Sequence, residues 1–548
     1  MTRLGGHVIA DQLVAQGVET VFGVAGESFL GVLDGLWERR DRIRYVAARH
    51  EATASHMAEA WGKLTGRPGV CLATRGPGAA HAAIGVHTAF QDSTPMLLLL
   101  GQVRREHQGR EAFQEVDLPA MFGPLAKWAA QIETAGDIPA MLGRACEVAL
   151  ADRPGPVVLA LPEDMQRETT DAPDAPFAEP ALRDPAEADL DRLHTWLGDA
   201  AQPLVIVGGP RWSQSTADAL AAWAEGSAVP VAAQFRRQDR IDNASPAYVG
   251  DLGLGCNPKL EARVAEADLV VLLGGRFGEI PSGGYTRLPQ ERRLGHLVAH
   301  VHADPSELER VWHADLPIAA AAPLVVDGLA ARGPLGRAPR AMWAQALRGD
   351  YETWSDPAPR DLGGVDLGQI VRHLRDTLPD DAVVANGAGN YTVWIHRYYR
   401  HRRFGTQLAP TSGAMGYGVP AAIAAALHDP SRLAVALAGD GCFQMAGHEL
   451  ATAVQLGLRN LVVIVCDNGM LGTIRMHQER SFPGHVEGTE LANPDFAALA
   501  ISYGCHAQRV ERDADFRAAF ERALAADRPA LIHLVCDPAA ITPGALLT

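Results

Sequence analysis

The sequence has few cysteines for its length and lacks a long apolar run. Its 7 cysteines are spread over 548 residues without a close Cys-x-x-Cys pair, which argues against a disulfide framework and against a structural zinc site. No stretch approaches the roughly 20 apolar residues of a membrane helix. The N-terminal segment MTRLGGHVIADQLVAQGVE carries polar residues throughout and therefore predicts an amphipathic helix, not a signal peptide. We expect a soluble, cytoplasmic protein without a membrane partner.

Clusters of positive charge are also absent from the sequence. The 49 lysine and arginine residues are outnumbered by 65 aspartate and glutamate residues, the net charge is -16, and the arginines are scattered. Nucleic acid is therefore not an expected partner. The apolar share of 47% and the charged share of 21% are ordinary for a globular protein, and the length predicts about two to four domains.

What the sequence does have is a series of short apolar runs that end in glycine, each followed by a segment of helical length. GVCLATRGPG, PLVIVGGP and LVVIVCDNG are examples. Because their apolar residues are continuous rather than alternating, they predict parallel strands covered by helices on both faces, hence α/β domains with doubly wound sheets. Segments rich in proline and small residues, roughly 166–189 and 331–364, interrupt the series. We therefore predict three domains, at residues 1–167, 188–332 and 360–548.

One of these runs leads into a turn that contains a carboxylate. The predicted strand Leu433–Ala438 is followed by Gly439, Asp440 and Gly441 and then by a helix. In a parallel sheet such a turn brings backbone N–H groups close to an anion at a helix N-terminus. Because a carboxylate would repel phosphate, Asp440 suggests an intervening Mg²⁺ ion that bridges to a diphosphate. The alternative is a tight turn with an N-capping aspartate.

A second polar ending follows one helix later. The apolar run VVIVC, residues 462–466, ends in Asp467, Asn468 and Gly469. The carboxyl ends of neighbouring parallel strands meet at one edge of a sheet. We therefore expect an oxygen ligand from this segment to converge with Asp440 on the same ion.

Together the two segments resemble the cofactor motif of thiamine diphosphate (ThDP)-dependent enzymes, in which Gly-Asp-Gly is followed by Asn-Asn. The resemblance implies that Asp440, Asn468 and the backbone carbonyl of Met470 hold Mg²⁺. The pair here reads Asp-Asn, and Asn468 lies one residue further along than the family spacing places it, so counting forward selects Asp467 instead. We place the extra residue in the turn GLRN, because a slip inside a buried strand would turn its side chains to the opposite face. The same motif implies cofactor contacts for Gly439, Gly441, Cys442, Leu471 and Gly472.

An acidic residue also stands where this family keeps its activating glutamate, at the end of the second strand of the first domain. It is Glu51, in RHEATASHMAEAW, and the strand and turn that follow include Gly76, which the resemblance places against the cofactor. In this family the carboxyl group exchanges a proton with the aminopyrimidine ring, which leads to a ylid that attacks a 2-oxo acid. The alternative is an acid in the first turn of a helix, favoured by the helix dipole.

Two further stretches resemble the rest of the cofactor cradle. APTSGAMGYGVPAAIAAAL corresponds to the segment that bends the cofactor, which makes Met415 the wedge between its rings and the Gly413 carbonyl an acceptor. A buried methionine at a helix start is the alternative. NGAGNYTVW corresponds to the loop over the diphosphate and makes Asn390 and Tyr391 donors to it.

Within the family, the leading resemblance is to the acetolactate synthase group, which decarboxylates a small, pyruvate-like 2-oxo acid and joins the product to a second one. The segment EAFQEVD implies that Phe113 and Gln114 line the entrance to the site, and Lys127 follows at the expected distance. His477 stands where that group has a tryptophan in the pocket for the second oxo acid.

Two residues favour a different outcome. Glu27 and His107 fall at or next to positions where pyruvate decarboxylase-like enzymes carry an active-site acid and histidine. Beside the reacting carbon they would supply a proton, which favours simple decarboxylation or C–C hydrolysis over carboligation. As polar residues in loops at strand ends, they are also explained as exposed side chains. NGMLGTIR resembles benzoylformate decarboxylase as well, and a noncatalytic relative that binds the cofactor is a third alternative.

The resemblance leaves FAD open and implies an oligomer. VGDLGLGCNPKL and GGRFGEIPSGGYTRL resemble the region that holds FAD in acetolactate synthase, and a glycine-rich sheet edge explains them too. In this family the first domain of one subunit meets the third domain of another. We therefore expect a homodimer or a homotetramer, whereas neither a regulatory subunit nor the identity of the two substrates follows from the sequence.

Overall fold

The computed structural model describes residues 2–288, 295–338 and 340–547. Residue 1, residues 289–294 and residue 548 belong to the three predicted domains but lie outside the described residues, as does residue 339.

The N-terminal third of the chain alternates strands and helices from its first residues onward. Its strands are β1 Arg3–Leu4, β2 Thr20–Gly23, β3 Arg44–Ala47, β4 Gly69–Ala73, β5 Met96–Gln102, β6 Trp128–Gln131, β7 Pro156–Pro162 and β8 Thr169–Thr170. Its helices are α1 Gly5–Ala15, α2 Leu30–Glu38, α3 Glu51–Thr65, α4 Gly76–Asp92, α5 Leu118–Phe122 and α6 Ile138–Leu150.

The alternation continues through the middle of the chain. The strands there are β9 Pro203–Val207, β10 Val231–Gln234, β11 Tyr248–Leu252, β12 Leu269–Leu273, β13 Leu297–His302, β14 Leu316–Ala319, β15 Val383–Asn386 and β16 Gln407–Leu408. The helices are α7 Glu187–Asp199, α8 Gln214–Ser227, α9 Pro258–Glu266, α10 Ala322–Ala331, α11 Ala341–Trp354, α12 Leu367–Thr377 and α13 Tyr391–Tyr398.

The C-terminal part completes the third sheet. Its helices are α14 Gly418–His428, α15 Asp440–Gln444, α16 Leu450–Gln455, α17 Gly472–Ser481, α18 Phe496–Ser502 and α19 Asp513–Leu524. Its strands are β17 Ala434–Gly439, β18 Leu461–Asp467, β19 His506–Val510, β20 Ala530–Val535, β21 Ala540–Thr542 and β22 Ala545–Leu546.

These elements form two compact units. The first consists of Met1–Ala181, Pro410–Pro430 and Gln444–Leu458, and the second of Leu182–Ala409, Ser431–Phe443 and Arg459–Thr548. The first unit contains one six-stranded parallel sheet, in the order β3-β2-β4-β5-β7-β6. The second contains two, in the orders β11-β10-β9-β12-β13-β14 and β16-β15-β17-β18-β20-β19. Three doubly wound parallel sheets confirm the predicted α/β class.

The winding of each sheet reverses between two adjacent strands. These pairs are β2 and β4, β9 and β12, and β15 and β17. In doubly wound sheets, ligands bind beyond the carboxyl ends of strands at such reversals. The central strands are buried along their whole length, as in β5 and β7, because helices cover both faces of a parallel sheet. Among the described residues, no helix is long and apolar enough to cross a membrane.

Helices α3 and α4 of the first unit approach each other very closely. A Cβ atom built on Gly85 of α4 would lie 2.4 Å from the Cβ of Ser55 on α3, so this crossing requires a glycine. Glu51 lies four residues before Ser55, and His81 lies four residues before Gly85. One helical turn separates such positions on the same face, so the crossing holds Glu51 and His81 side by side.

Candidate active site

The carboxyl edge of the third sheet, in the second unit, collects several polar side chains. In the parallel pairing of β17 and β18, Gly439 lies opposite Cys466, so the residues that follow, Asp440 and Asp467, leave the sheet at the same level. β18 is buried from Leu461 to Cys466 and becomes half-buried only at Asp467. The apolar run therefore ends where the chain reaches a polar site.

Asp440 is a largely buried carboxylate at this edge. Its Oδ1 accepts a hydrogen bond from the Gly441 N–H at 2.8 Å, and its Oδ2 accepts one from the Asn493 side-chain amide at 2.8 Å. Burial, aided by the nearby Asp467 carboxylate, raises the pKa of Asp440 to about 6. An ionised carboxylate in this setting is stabilised by a cation.

Asp467 has more partners in the protein than Asp440 has. Its Oδ1 accepts hydrogen bonds from the Gly469 N–H at 3.1 Å and from the same Asn493 amide at 2.7 Å. Its Oδ2 lies 2.8 Å from Nε2 of the buried His533. Although burial acts to raise the pKa of Asp467, the hydrogen bonds from His533, Asn493 and Gly469 hold it below its ordinary value. Asn493 and His533 were not predicted from the sequence, because neither belongs to a recognisable motif.

The turn after β18 directs the Met470 backbone carbonyl away from the segment that contains Glu490. The Leu471 N–H donates to the Thr489 carbonyl and the Leu491 N–H to the Gly469 carbonyl. These two bonds flank Met470, which pairs with Glu490 in an antiparallel bridge. In a non-hydrogen-bonded antiparallel pair, the N–H and C=O groups point away from the partner.

Asn468 lies at the start of the same turn. Its Oδ1 accepts a hydrogen bond from the Met470 N–H at 3.3 Å. Gly469 adopts a positive φ of 67°, a conformation that glycine tolerates without strain. Helix α17 then begins at Gly472, after Leu471. Carboxylate, amide and carbonyl oxygens are the ligands that Mg²⁺ prefers, so the residues at this edge fit the predicted ion.

The glycine-rich loop after β15 contacts helix α17 and the end of strand β17. Asn390 accepts a hydrogen bond from the Thr473 hydroxyl at 2.8 Å and donates to the Met476 sulfur at 3.8 Å. The ring of Tyr391 packs on Gly439, where a Cβ atom would lie 3.0 Å from it.

The hydroxyl group of Tyr391 is engaged within the protein. It accepts from the Gly387 N–H at 3.0 Å and donates to the buried Cys442 sulfur at 3.6 Å. These two contacts hold the loop against the start of α15. The role of Tyr391 as a donor to the diphosphate, which the resemblance implies, stays a prediction.

In the first unit, Glu51 begins helix α3. His50 caps this helix by accepting the Ala52 N–H on its Nδ1 at 3.1 Å. The Glu51 side chain is 13% exposed, and its Oε2 lies 2.9 Å from His81 Nδ1. One ligand atom each from His50, Glu51 and His81 lies within 4.8 Å of the others. His81 was not singled out in the sequence.

The segment before α5 reaches the turn that precedes α4. The Gly76 N–H donates to the Gln114 carbonyl at 3.0 Å, and Gln114 has a positive φ of 63°. Phe113, next to it, is largely exposed. The ammonium group of Lys127 donates to the Val148 and Ala151 carbonyls at the end of α6.

Three predicted catalytic residues have exposed side chains. Glu27 is 68% exposed and lies 3.5 Å from an Arg75 guanidinium nitrogen. His107 is half-exposed, with Nε2 3.7 Å from Glu106. His477 lies on the exposed side of α17. These positions do not form a buried acid-base group within their own units.

The segment that includes Met415 belongs to the first unit and is held on both sides. Asp92 accepts hydrogen bonds from the Thr411 N–H and hydroxyl, at 3.0 and 2.5 Å. The Tyr417 hydroxyl donates to Glu59 at 2.6 Å. Between these anchors, Gly413 has a positive φ of 71°, and Met415 is half-buried.

The predicted site residues thus divide between the two units. Those of the first unit are Glu27, Glu51, Gly76, His107, Gln114, Gly413 and Met415. Those of the second unit are Asn390, Tyr391, Gly439, Asp440, Gly441, Cys442, Asn468, Met470, Leu471, Gly472 and His477.

Comparison with known families and proteins gives one consistent picture. Three models of the thiamine pyrophosphate enzymes match in order: the N-terminal TPP binding domain over residues 3–121, the central domain over 190–329 and the C-terminal TPP binding domain over 387–534.

Similar proteins of known name cover nearly the whole chain. The acetolactate synthase isozyme 2 large subunit of Escherichia coli is 30% identical over 536 residues, which cover 97% of this chain and 95% of that protein. The acetolactate synthase large subunit of Corynebacterium glutamicum is 29% identical, covering 97% and 86%. The acetolactate synthase of Mycobacterium bovis is 30% identical, covering 93% and 84%.

Proposed function

The chain belongs to the family of thiamine diphosphate-dependent enzymes and is an acetolactate synthase-like member acting on 2-oxo acids, and from this premise we propose that it is a carboligase. In the proposed reaction, the bond between C1 and C2 of a small 2-oxo acid such as pyruvate breaks and CO₂ leaves. The former carbonyl carbon then bonds to C2 of a second 2-oxo acid.

The observation that carries this proposal is the sheet edge where Asp440 and Asp467 share the Asn493 amide. We propose that Asp440, Asn468 and the Met470 carbonyl hold Mg²⁺ there. The raised pKa of Asp440, which is caused mainly by burial, supports a cation at this carboxylate. The contacts of Asp467 with the Gly469 N–H and with His533 support a role in orienting the turn.

Thiamine diphosphate, when bound, supplies the carbon nucleophile and the electron sink for loss of CO₂. We propose that the residues of this chain hold and activate it. Glu51 exchanges a proton with the aminopyrimidine ring, for which its low exposure is suited. Met415 and the Gly413 carbonyl support the rings, and the backbone of Gly439, Gly441, Cys442, Leu471 and Gly472 surrounds the diphosphate together with Asn390. Gly76 lies against the ring side.

Carboligation is favoured over simple decarboxylation by the environment of Glu27 and His107. A proton donor that ends the reaction at an aldehyde must be held at the reacting carbon. Within the first unit, Glu27 lies 3.5 Å from Arg75 and His107 lies 3.7 Å from Glu106, so each has a charged neighbour of its own. We assign Gln114, with Phe113, and His477 to the entrance and to the choice of the second acid.

The test is to supply pyruvate with thiamine diphosphate and Mg²⁺ and to measure CO₂, acetolactate and acetaldehyde, followed by a screen of other 2-oxo acids with products identified by mass. We expect CO₂ release with a ligated product. Aldehyde as the main product would replace the proposal by simple decarboxylation. A Glu51→Gln variant with full turnover would contradict the assigned role of Glu51.

We also propose that the active enzyme is a homodimer or a dimer of dimers. The division of the site residues between two units supports this, because in this family the two halves of a site come from different subunits. Co-expression of Glu51→Gln and Asp440→Asn chains tests it. If both halves came from one chain, the mixture would be inactive, whereas sites shared between subunits should restore about a quarter of wild-type activity.

The second sheet offers little room for FAD at its reversal point. A Cβ atom on Gly209 would lie 1.7 Å from the Gly274 carbonyl oxygen, and Cβ atoms on Gly208 and Gly275 would lie within 2.7 Å of the Gln234 side chain. These glycines accommodate atoms of the protein itself, so the turns do not form an open cradle for a pyrophosphate. No step of the proposed reaction uses FAD, and the visible absorbance spectrum of the purified protein tests for it.

A further inference from the structure

The two oxygens of Glu51 have different surroundings. Oε2 lies 2.9 Å from Nδ1 of His81. Oε1 faces the first turn of α4 at Gly78, where a Cβ atom would lie only 3.3 Å from it. One oxygen is therefore engaged by an imidazole, whereas the other faces a residue without a side chain.

The His81 ring is itself fixed on two sides. It stacks on the His50 ring with 4.3 Å between centroids and 29° between planes. The His50 ring cannot rotate freely, because its Nδ1 accepts the Ala52 N–H at the start of α3. The Ser55–Gly85 crossing sets the distance between the two helices. Backbone packing thus determines where His81 meets Glu51.

Other titratable and charged groups near this pair come from the segment before α16 and from the entry to α3. The His448 ring, which precedes α16, lies 5.9 Å from the His50 ring. Glu449 accepts the Arg49 N–H at 2.8 Å and the Thr53 hydroxyl at 2.5 Å. Glu449 is thus hydrogen-bonded to Thr53 of α3 and to Arg49, which lies just before that helix. Among the described residues of the first unit, the Glu51 carboxylate has its hydrogen bond with His81.

We propose that His81 is a positioning residue for the activating glutamate. It donates its Nδ1 proton to Oε2 of Glu51 and so holds the carboxylate with Oε1 free to exchange a proton with the cofactor ring. This inference rests on the proposed role of Glu51. It requires the Nδ1–H form of the His81 imidazole, since Nδ1 can donate only when it carries the proton.

The first readout needs no cofactor. Nitrogen-15 NMR of histidine-labelled apoenzyme distinguishes the Nδ1–H from the Nε2–H form, and His81 is identified as the signal that a His81→Asn variant loses. We expect His81 in the Nδ1–H form in the wild type and its return to the Nε2–H form in Glu51→Ala. An Nε2–H form in the wild-type protein would overturn the proposal.

The second readout is the rate at which enzyme-bound thiamine diphosphate loses its C2 proton to deuterated water, which needs no substrate. Replacement of His81 by leucine should slow this exchange by about 10-fold to 100-fold, because the carboxylate loses its fixed position. His81→Asn should stay within about 3-fold of wild type, since its amide can donate from nearly the same place. His87→Leu, on the exposed face of the same helix, is the matched control and should change nothing.

The outcomes separate the two proposals. Fast exchange in wild type, slow exchange in Glu51→Gln and unchanged exchange in His81→Leu would overturn the role of His81 and leave Glu51 in place. Equal exchange in wild type and Glu51→Gln would instead refute the proposed function of Glu51. With product assays, His81→Leu should lower kcat and leave KM unchanged, because in this proposal His81 acts through Glu51 and not on the substrate. A change confined to KM would also contradict the proposal.

Discussion

A buried cluster of charged side chains in the first unit allows a specific prediction about stability. Lys63 of α3 lies 2.6 Å from Asp92 and 3.1 Å from Glu59, and its ammonium also donates to the Tyr417 hydroxyl at 3.3 Å. The side chains of Glu59 and Asp92 are fully buried, and that of Lys63 is 12% exposed. Burial raises the pKa of Glu59, and Lys63 opposes that rise. The lysine therefore compensates two carboxylates at once.

Replacing Lys63 by methionine should destabilise the first unit strongly. Methionine keeps the length of the side chain but leaves two buried carboxylates without their cation. Removal of one partner from a buried ion pair costs about 3–5 kcal/mol. For a unit of this size, that loss lowers the midpoint of thermal unfolding by about 6 to 20 °C.

The loss should depend on pH in a defined direction. The folded-state pKa of Glu59 is raised above its unfolded value, so its contribution to stability is present at low pH and is lost as pH rises through the folded-state pKa. Without Lys63 the strongest opposition to this rise is lost, and only the hydrogen bonds from Tyr417 and Thr94 still act against it. The deficit of Lys63→Met should therefore be larger at about pH 8 than at about pH 5.

The assay is urea unfolding, followed by tryptophan fluorescence and by hydrogen exchange of peptides from α3 and from residues 410–417. Lys259→Met is the matched control, because Lys259 pairs with Asp350 at 2.7 Å but is 67% exposed. Such a surface pair contributes less than about 1 kcal/mol. The double variant Glu59→Gln/Lys63→Met should recover part of the loss. Equal shifts for Lys63→Met and Lys259→Met would refute the reasoning.

Two further variants test other parts of the molecule. Asn493→Leu should weaken Mg²⁺-dependent thiamine diphosphate binding by about 10-fold to 100-fold, because it removes the amide that holds both carboxylates. Calorimetric titration with and without Mg²⁺ measures this affinity. An unchanged affinity would contradict the proposed ion site. Burial raises the pKa of Asp251 to about 7. The wild-type protein should therefore lose stability as pH rises from about 4 through 7. Asp251→Asn should be more stable than wild type only above that pH range. A stability difference between these two proteins that does not change with pH would contradict the assignment.

The strands and the site edge were predictable because burial on both faces restricts composition. The short, β-branched run VVIVC favours a central strand of a covered sheet, and β18 extends from Leu461 to Asp467. The polar residues after it had to lie at the carboxyl edge, since that is where a parallel strand leaves the sheet. The same logic identified Asp440 after β17. The choice of Asn468 over Asp467 as a ligand stays a prediction.

Side chains that reach the sites from distant segments could not be predicted. Asn493 lies 53 residues from Asp440 along the chain, in a segment whose position depends on the pairing of Met470 with Glu490. His81 lies 30 residues from Glu51 and meets it only through a helix crossing. A single sequence has no periodic signal for such contacts, because they follow from tertiary packing and not from local pattern.

A motif also does not encode the contacts of its own side chains. In the loop with Asn390 and Tyr391, the Tyr391 hydroxyl donates to the Cys442 sulfur. The tyrosine ring packs on Gly439, where a Cβ atom would lie 3.0 Å from it. Packing around a residue, which the motif does not encode, decides which atoms it can offer to a ligand.

The two carboxylates at the sheet edge are not equivalent, and the difference favours Asp440 as the ligand of a cation. Both receive the Asn493 amide and a backbone N–H. Only Asp467 also has the His533 imidazole, and its pKa is low despite burial because of these hydrogen bonds. The charge of Asp467 is thus accommodated by the protein, whereas the raised pKa of Asp440 marks a charge that burial leaves undercompensated. A divalent ion stabilises most the carboxylate whose negative charge the protein compensates least. It should therefore bind at Asp440, while Asp467 holds the turn that brings Asn468 to the same ion.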